Sequence, residues 1–110
     1  MNPITTRFSV PVSPGTMPSS IASLASGGGA SDAAVAWKTG LWYWNTQSGP
    51  GTMTPHNAMV NQAGFGQTIR SSNGSLECDG RNPAQVQSRV HAYNRFTSIL
   101  GVGPGGNLYC

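Results

Sequence analysis

Charged side chains are scarce in this chain of 110 residues. They make up 8% of the sequence, against about a quarter in an average soluble domain. The six cations exceed the three carboxylates, which gives a formal net charge of +3. Because the cations form no block of lysine or arginine, the charge pattern does not predict nucleic-acid binding.

Long apolar runs are also absent. No stretch of about 18 apolar residues occurs, so no membrane span is predicted, and residues 1–12 lack the apolar core of a signal peptide. The glycine-rich stretch at 101–106 follows a predicted helix and contains no lysine, which argues against a phosphate-binding loop. We therefore expect no membrane, no nucleic acid, no cofactor and no small-molecule substrate.

Large apolar side chains are too few for a thick core. Leu, Ile, Val and Phe account for 19 residues, whereas Gly, Pro and Ser make up about a third of the chain. Burial stabilises the folded state by roughly 25 cal/mol per Å² of apolar surface. Ordering the backbone of one residue costs about 1–2 kcal/mol of conformational entropy. Such a chain is expected to be marginally stable unless a cross-link, a ligand or a partner stabilises it.

Cysteine is limited to Cys78 and Cys110. A disulfide between them would close a loop of about 33 residues and stabilise the fold by roughly 3–4 kcal/mol. Two free thiols in a reducing cytosol are the alternative. The sequence leaves both states open.

Residues suited to catalysis or metal binding are few. A Cys78 nucleophile with His56 or His91 as its base is disfavoured, because acidic neighbours on both sides would raise the pKa of the thiol. The histidines and carboxylates show no metal-ligand spacing, and three carboxylates supply an acid–base pair poorly. We predict a protein that is not an enzyme, without catalytic, metal or cofactor-binding residues. Two neighbouring carboxylates are expected to form surface ion pairs: Glu77 and Asp79 with Arg70 or Arg81.

Three segments have the sequence features of strands. Residues 4–12 alternate between apolar and polar, and the aromatic run at 41–44 predicts a strand within residues 33–45. A short helix at 33–37 capped by Asp32 is the alternative for the second segment. Asn73 and Gly74 lie between two short strand-like runs and predict a hairpin.

One helix is predicted at 83–100. Asn82 suits the N-cap, Pro83 the first helical position and Gly101 the position after the C-terminus. These elements predict an α+β fold: a small antiparallel sheet with one C-terminal helix and long Gly/Pro/Ser-rich loops. An all-β, jelly-roll-like body is the alternative. We expect a single domain overall, with an extended arm or strand at 1–12, a Gly/Ser/Pro-rich loop at 13–31 and a compact body at 32–110.

These features favour a non-enzymatic structural protein of a large assembly. The predicted class is a small accessory protein of a tailed-phage virion, such as a cement, decoration, knob or fibre/tail adaptor protein. Its partners would be copies of itself and larger virion or assembly proteins. We expect synthesis in the host cytoplasm and location in the virion, with a cytoplasmic protein as the alternative. The predicted contact residues are Ile4, Phe8, Val10, Trp42 and Trp44.

A dense aromatic cluster supports an alternative function. Exposed aromatic rings can stack on sugars, so Trp37, Trp42, Tyr43 and Trp44 are also compatible with a small carbohydrate-binding or host-adhesion module. The simpler interpretation places these side chains in the core, because little else in the chain is large enough to build one.

Overall fold

The computed structural model describes residues 32–110, which form four α-helices and, within that range, no strand. The helices are α1 (Ala33–Thr46), α2 (Pro55–Val60), α3 (Phe65–Glu77) and α4 (Pro83–Leu100). The predicted arm at 1–12 and the predicted loop at 13–31 lie outside the described residues. None of the described helices has the length and apolarity needed to cross a membrane.

The predicted α+β fold is wrong, and so is its jelly-roll alternative, because the predicted aromatic strand is helical. The Asp32 side chain caps α1 by accepting hydrogen bonds from the backbone N–H groups of Ala34 and Val35. Tyr43 is buried on the inner side of this helix. Capping and tertiary packing therefore outweigh the strand preference of the Trp and Tyr residues.

The predicted hairpin at Asn73 and Gly74 is also wrong, because both flanking segments belong to α3. Asn73 has φ −154° and ψ 31°, so the helix is interrupted there, but the chain does not reverse. A Cβ atom added to Gly74 would lie 3.0 Å from Cγ of Arg70, so this position has little room for a side chain. The Asn–Gly pair thus produces a kink where the sequence predicts a turn.

The helix predicted at 83–100 is confirmed in α4. The Asn82 side chain accepts a hydrogen bond from the backbone N–H of Gln85, and Pro83 is the first helical residue. Gly101 ends the helix with φ 71°, in the left-handed region that glycine adopts without strain.

The core lies between α3 and α4, and a cross-link joins it to the C-terminal residue. Buried core residues are Ile69, Cys78, Val86 and Val90. Cys78 and Cys110 form a disulfide with an S–S distance of 2.05 Å and a Cα–Cα distance of 5.1 Å. The rings of Phe65 and Tyr93 stack with centroids 4.1 Å apart.

The C-terminal segment also packs closely on the start of α3. The backbone N–H of Gly66 donates to the carbonyl oxygen of Asn107 at 2.9 Å. A Cβ atom at Gly66 would overlap the carbonyl oxygen of Tyr109, so a side chain here would displace the C-terminal segment.

Helix α1 is attached to α3 through one buried hydroxyl group. The hydroxyl of Tyr43 donates to the backbone oxygen of Ser71 at 2.7 Å. Ser71 in turn donates through Oγ to the backbone oxygen of Met53, at 2.6 Å. These bonds hold α1 and the loop before α2 against the middle of α3.

Candidate active site

A buried ion pair joins the end of α3 to α4. The Glu77 side chain is fully buried, and Arg89 lies twelve residues later with 18% of its side chain exposed. Nε of Arg89 donates to Oε1 of Glu77 at 2.7 Å, and Nη2 donates to Oε2 at 2.9 Å. Two parallel hydrogen bonds fix the planar guanidinium group relative to the carboxylate.

The kink residue of α3 completes this network. Nδ2 of Asn73 donates to Oε2 of Glu77 at 2.6 Å, and Asn73 is itself buried. Residues four apart on a helix lie on the same face, so α3 brings the amide and the carboxylate together locally. Asn73, Glu77 and Arg89 thus form one network, which we call the Glu77 network.

The electrostatics of the network favour an ionised carboxylate. Burial raises the pKa of Glu77, but the hydrogen bonds from Arg89 and Asn73 and the charge of Arg89 lower it by more, so the pKa is below its usual value. At neutral pH Glu77 is therefore a fixed anion that accepts three hydrogen bonds. It holds Arg89 in place and is unsuited to donating a proton.

Asp79 forms a separate ion-pair cluster at the surface. Nη1 and Nη2 of Arg70 each donate to its carboxylate at 2.9 Å, and Nη1 of Arg81 lies at 3.3 Å. The hydrogen bond from Arg70 is the largest cause that lowers the pKa of Asp79 to about 2. The predicted surface pairing is confirmed for Asp79. It is wrong for Glu77, which is buried against Arg89.

The aromatic cluster does not form a single exposed sugar-binding surface. Trp42 is half-buried and Trp44 is 37% exposed, while Tyr43 between them is buried. Trp37 is 75% exposed and lies on the same side of α1 as Trp44, seven residues later. Successive helical residues point in directions about 100° apart, so Trp42, Tyr43 and Trp44 cannot be coplanar on one face. The predicted contact residues Ile4, Phe8 and Val10 lie outside the described residues. For Trp42 and Trp44, a role in partner contacts stays a prediction.

The cysteine and histidine candidates do not form a nucleophile–base pair. The sulfur of Cys78 is bonded to Cys110, so it offers no thiol nucleophile, and His56 and His91 are exposed. Among residues 32–110, no group of three His, Cys, Asp or Glu side chains could hold a metal ion.

An open groove on α4 is separate from the Glu77 network. It has a volume of about 510 Å³ and includes Ala84, Gln87, Ser88 and His91 in its lining. By helical spacing these residues lie on the opposite side of α4 from Arg89. The groove and the buried ion pair are therefore unrelated features.

Sequence reasoning missed the Glu77 network because its central contact spans two helices. One local feature pointed to it. Arg89 directly precedes Val90 on the predicted helix, at the edge of the apolar side formed by Val86, Val90 and Tyr93, where a buried arginine needs a partner of opposite charge. The pairing with Glu77 depends on how α3 and α4 pack, which the local sequence does not specify.

Comparison with known proteins identifies the family. The statistical model of the family described as class I chitinases, glycoside hydrolase family 19, matches residues 26–110. Chitinase 6 of Oryza sativa is 49% identical over 76 residues, covering 69% of this chain and 26% of the rice protein. Endochitinase EP3 of Arabidopsis thaliana is 47% identical over 81 residues, covering 74% of this chain and 26% of that protein. The chain thus spans about a quarter of the length of these relatives.

Solved structures show the same similarity in three dimensions. Chitinase C from Streptomyces griseus is 71% identical with a TM-score of 0.70, covering 73% of this chain and 32% of that chain. A bacterial family 19 chitinase is 80% identical with a TM-score of 0.69, covering 72% of this chain and 39% of the other.

These matches overturn the predicted function. The relatives are plant and bacterial chitinases, so the prediction of a non-enzymatic virion protein is wrong. The expected virion location and virion partners, and the expected lack of a small-molecule substrate, are wrong for the same reason, since these relatives are named for acting on a polysaccharide. The helical fold of residues 32–110, the family match and the similarity to solved structures agree, and the chain belongs to glycoside hydrolase family 19, the class I chitinases.

Proposed function

We propose that this chain supplies the α3–α4 part of a chitin-hydrolysing site, with the Glu77 network beside the reacting sugar. The observation that carries the proposal is the buried ion pair. Taking two charges out of water costs several kcal/mol per ion, yet a chain with three carboxylates keeps one of them fully buried. Membership of a chitinase family supports chitin as the substrate.

The chemistry of glycoside hydrolysis determines what this network can do. The reaction ordinarily uses two carboxyl groups, one donating a proton to the leaving oxygen and one acting as base or nucleophile. Glu77 is ionised and accepts three hydrogen bonds, Asp32 caps α1, and Asp79 is held by two arginines. We therefore assign the two reacting carboxyl groups to the part of a family 19 domain that this chain does not match.

Arg89 is a positioning residue under this proposal. Its Nε and one N–H of Nη2 bind Glu77, and a guanidinium group has five N–H donors in a fixed plane. The Nη1 group can thus hold a reacting carboxylate or a sugar oxygen in a defined orientation. Glu77 prevents the guanidinium from rotating, and Asn73 prevents the carboxylate from rotating.

A chimeric enzyme tests the proposal. Residues 32–110 would replace the matched segment of Streptomyces griseus chitinase C, and hydrolysis of soluble chitin oligomers would be measured. We expect an active chimera. Arg89→Met should lower kcat by about 100-fold, the scale expected when a reacting group is misplaced, with a smaller change in KM and a shifted pH profile.

The matched control is Asp79→Asn, which removes the charge that pairs with Arg70 and Arg81 at the surface, two residues from Glu77. It should leave kcat and the pH profile unchanged, with circular dichroism showing that all variants remain folded. A folded chimera without activity, or equal activity of the Arg89→Met and Asp79→Asn variants, would contradict the proposal.

A further inference from the structure

Gln85 is a buried polar residue of α4 whose side-chain oxygen is unpaired. The residue is 9% exposed, and within residues 32–110 its Oε1 is buried and has no hydrogen-bond partner. Native structures pair the large majority of such atoms, because a buried acceptor has lost the hydrogen bonds that water would donate to it. A donor that reaches Oε1 in another state of the site would explain why the oxygen is retained.

Capping of α4 does not use this oxygen. Gln85 is the third residue of the helix, the position from which a glutamine side chain can accept a hydrogen bond from the backbone N–H of the N-cap residue. That residue is Asn82, and its N–H donates instead to the carbonyl oxygen of Glu77 at 3.1 Å. The oxygen of Gln85 therefore lies beside a contact that joins the start of α4 to Glu77, and it remains available to another donor.

Helix geometry places Arg89 on the same face of α4 as Gln85. The two residues are four apart, so they are neighbours on successive turns. Long side chains of a helix lean toward its N-terminus, so that of Arg89 extends toward the turn that contains Gln85. Glu77 binds Nε and one N–H of Nη2, and Nη1 of Arg89 makes no hydrogen bond within residues 32–110. An unpaired acceptor and an unpaired donor thus belong to neighbouring residues of one helix face.

We propose that Gln85 is a positioning residue for Arg89, and that its Oε1 accepts a hydrogen bond from Nη1 of Arg89 when chitin occupies the site. The inference rests on the proposed function, in which the other N–H of Nη1 holds a reacting carboxylate or a sugar oxygen. Catalytic hydrogen bonds are often long in a free enzyme and tighten when the substrate is bound. Glu77 and Gln85 then hold the guanidinium at two of its nitrogens each way, which fixes the direction of the N–H that faces the substrate.

The stability of the full chain tests whether the oxygen is unpaired in the absence of substrate. Gln85→Met keeps the length of the side chain and removes its polar atoms. Because this substitution removes the desolvation cost of an unpaired acceptor, we expect the Tm of the chain to rise by about 4 °C or more. An unchanged or lower Tm would overturn the inference, since the oxygen would then have a partner in the chain alone.

Hydrolysis by the chimera with Streptomyces griseus chitinase C tests whether Gln85 acts through Arg89. Gln85→Met should lower kcat about 10-fold with little change in KM, because it misdirects the guanidinium without removing a contact to the sugar. In the Arg89→Met background the same substitution should change kcat by less than about 2-fold, since the group that it positions is gone. An unchanged kcat in the single variant, or independent effects of the two substitutions, would overturn the inference.

The matched control is Gln87→Met, the same substitution at an exposed residue of the same helix. Gln87 is two residues from Arg89 and lies on the opposite side of α4. Neither the Tm of the chain nor the kcat of the chimera should change in this variant. Equal effects of the Gln85 and Gln87 substitutions would overturn the inference.

Nuclear magnetic resonance of the arginine side chains separates the two proposals. Addition of a chitin tetramer to the chimera should slow the exchange of the Nη protons of Arg89, and Gln85→Met should abolish this change. A chimera that shows the change without hydrolysing chitin supports this inference and contradicts the proposed function. An active chimera in which the change is absent, or persists in Gln85→Met, contradicts this inference and supports the proposed function. An inactive chimera without the change contradicts both.

Discussion

Removal of Arg89 would leave the buried Glu77 carboxylate without an opposite charge, with only the hydrogen bond from Asn73 remaining. Arg89→Met retains an unbranched side chain of similar reach but removes the donors to Glu77, whose side chain is fully buried. Breaking a buried pair on one side costs about 3–5 kcal/mol. In a domain of this size each kcal/mol lowers Tm by roughly 4–8 °C, so we expect Tm to fall by at least about 12 °C.

A double-mutant cycle distinguishes this mechanism from simple loss of packing. Glu77→Gln combined with Arg89→Met contains no buried charge and keeps an oxygen acceptor for Asn73. The double variant should therefore be more stable than Arg89→Met alone, with a coupling energy of about 1–3 kcal/mol. Urea unfolding followed by circular dichroism at 222 nm measures each free energy of unfolding, and additive effects of the two substitutions would refute the reasoning.

The pH dependence provides a second check on the same pair. In the unsubstituted chain the pKa of Glu77 is lowered on folding, so the pair stabilises the fold above the usual carboxyl pKa of 4.5 and loses this effect as pH falls. In Arg89→Met the attraction is gone and burial raises the pKa of Glu77. That variant should gain stability relative to the unsubstituted chain as pH falls from 7 to 4, and a pH-independent difference would contradict the assignment.

Three further changes test other parts of the fold. Reduction of the Cys78–Cys110 disulfide, with Cys78→Ser/Cys110→Ser as the permanent equivalent, should lower the free energy of unfolding by roughly 3–4 kcal/mol in urea titrations. Burial raises the pKa of Tyr43 to about 12, so stability should be retained up to about pH 10 and lost as pH rises toward 12, and Tyr43→Phe should remove this alkaline loss. Gly66→Ala should destabilise the chain and speed amide exchange in the C-terminal segment. Gly103→Ala, where an added Cβ has no neighbour within 4 Å, should do neither.

Local sequence features predicted α4 because its determinants are adjacent residues. The side chain of Asn82, the fixed φ of Pro83 and the left-handed conformation of Gly101 act within one or two turns. Each can be read from the sequence without knowing what the helix packs against.

The errors at α1 and α3 arise from interactions between distant residues. The Tyr43 hydroxyl donates a hydrogen bond to the backbone oxygen of Ser71, 28 residues away. This contact favours a helix at residues whose aromatic side chains prefer a strand. An Asn–Gly pair such as Asn73–Gly74 is typical of hairpin turns. Here the Asn73 side chain instead donates a hydrogen bond to the buried carboxylate of Glu77 in the same helix. The contact of Glu77 with Arg89 joins two helices, so no local sequence pattern predicts it.

The position of Asn73 also affects the chemical lifetime of the site. In a flexible chain an asparagine before a glycine loses its amide nitrogen readily, because the following backbone nitrogen can attack the side-chain carbonyl. Here the residue is buried and its amide nitrogen donates to Glu77 at 2.6 Å, so we expect the folded chain to resist this ageing reaction. Deamidation before folding would yield an aspartate or isoaspartate at position 73, and an aspartate would place a second carboxylate against that of Glu77, where two like charges oppose each other's ionisation. Molecules that age while unfolded would then be unable to rebuild the network.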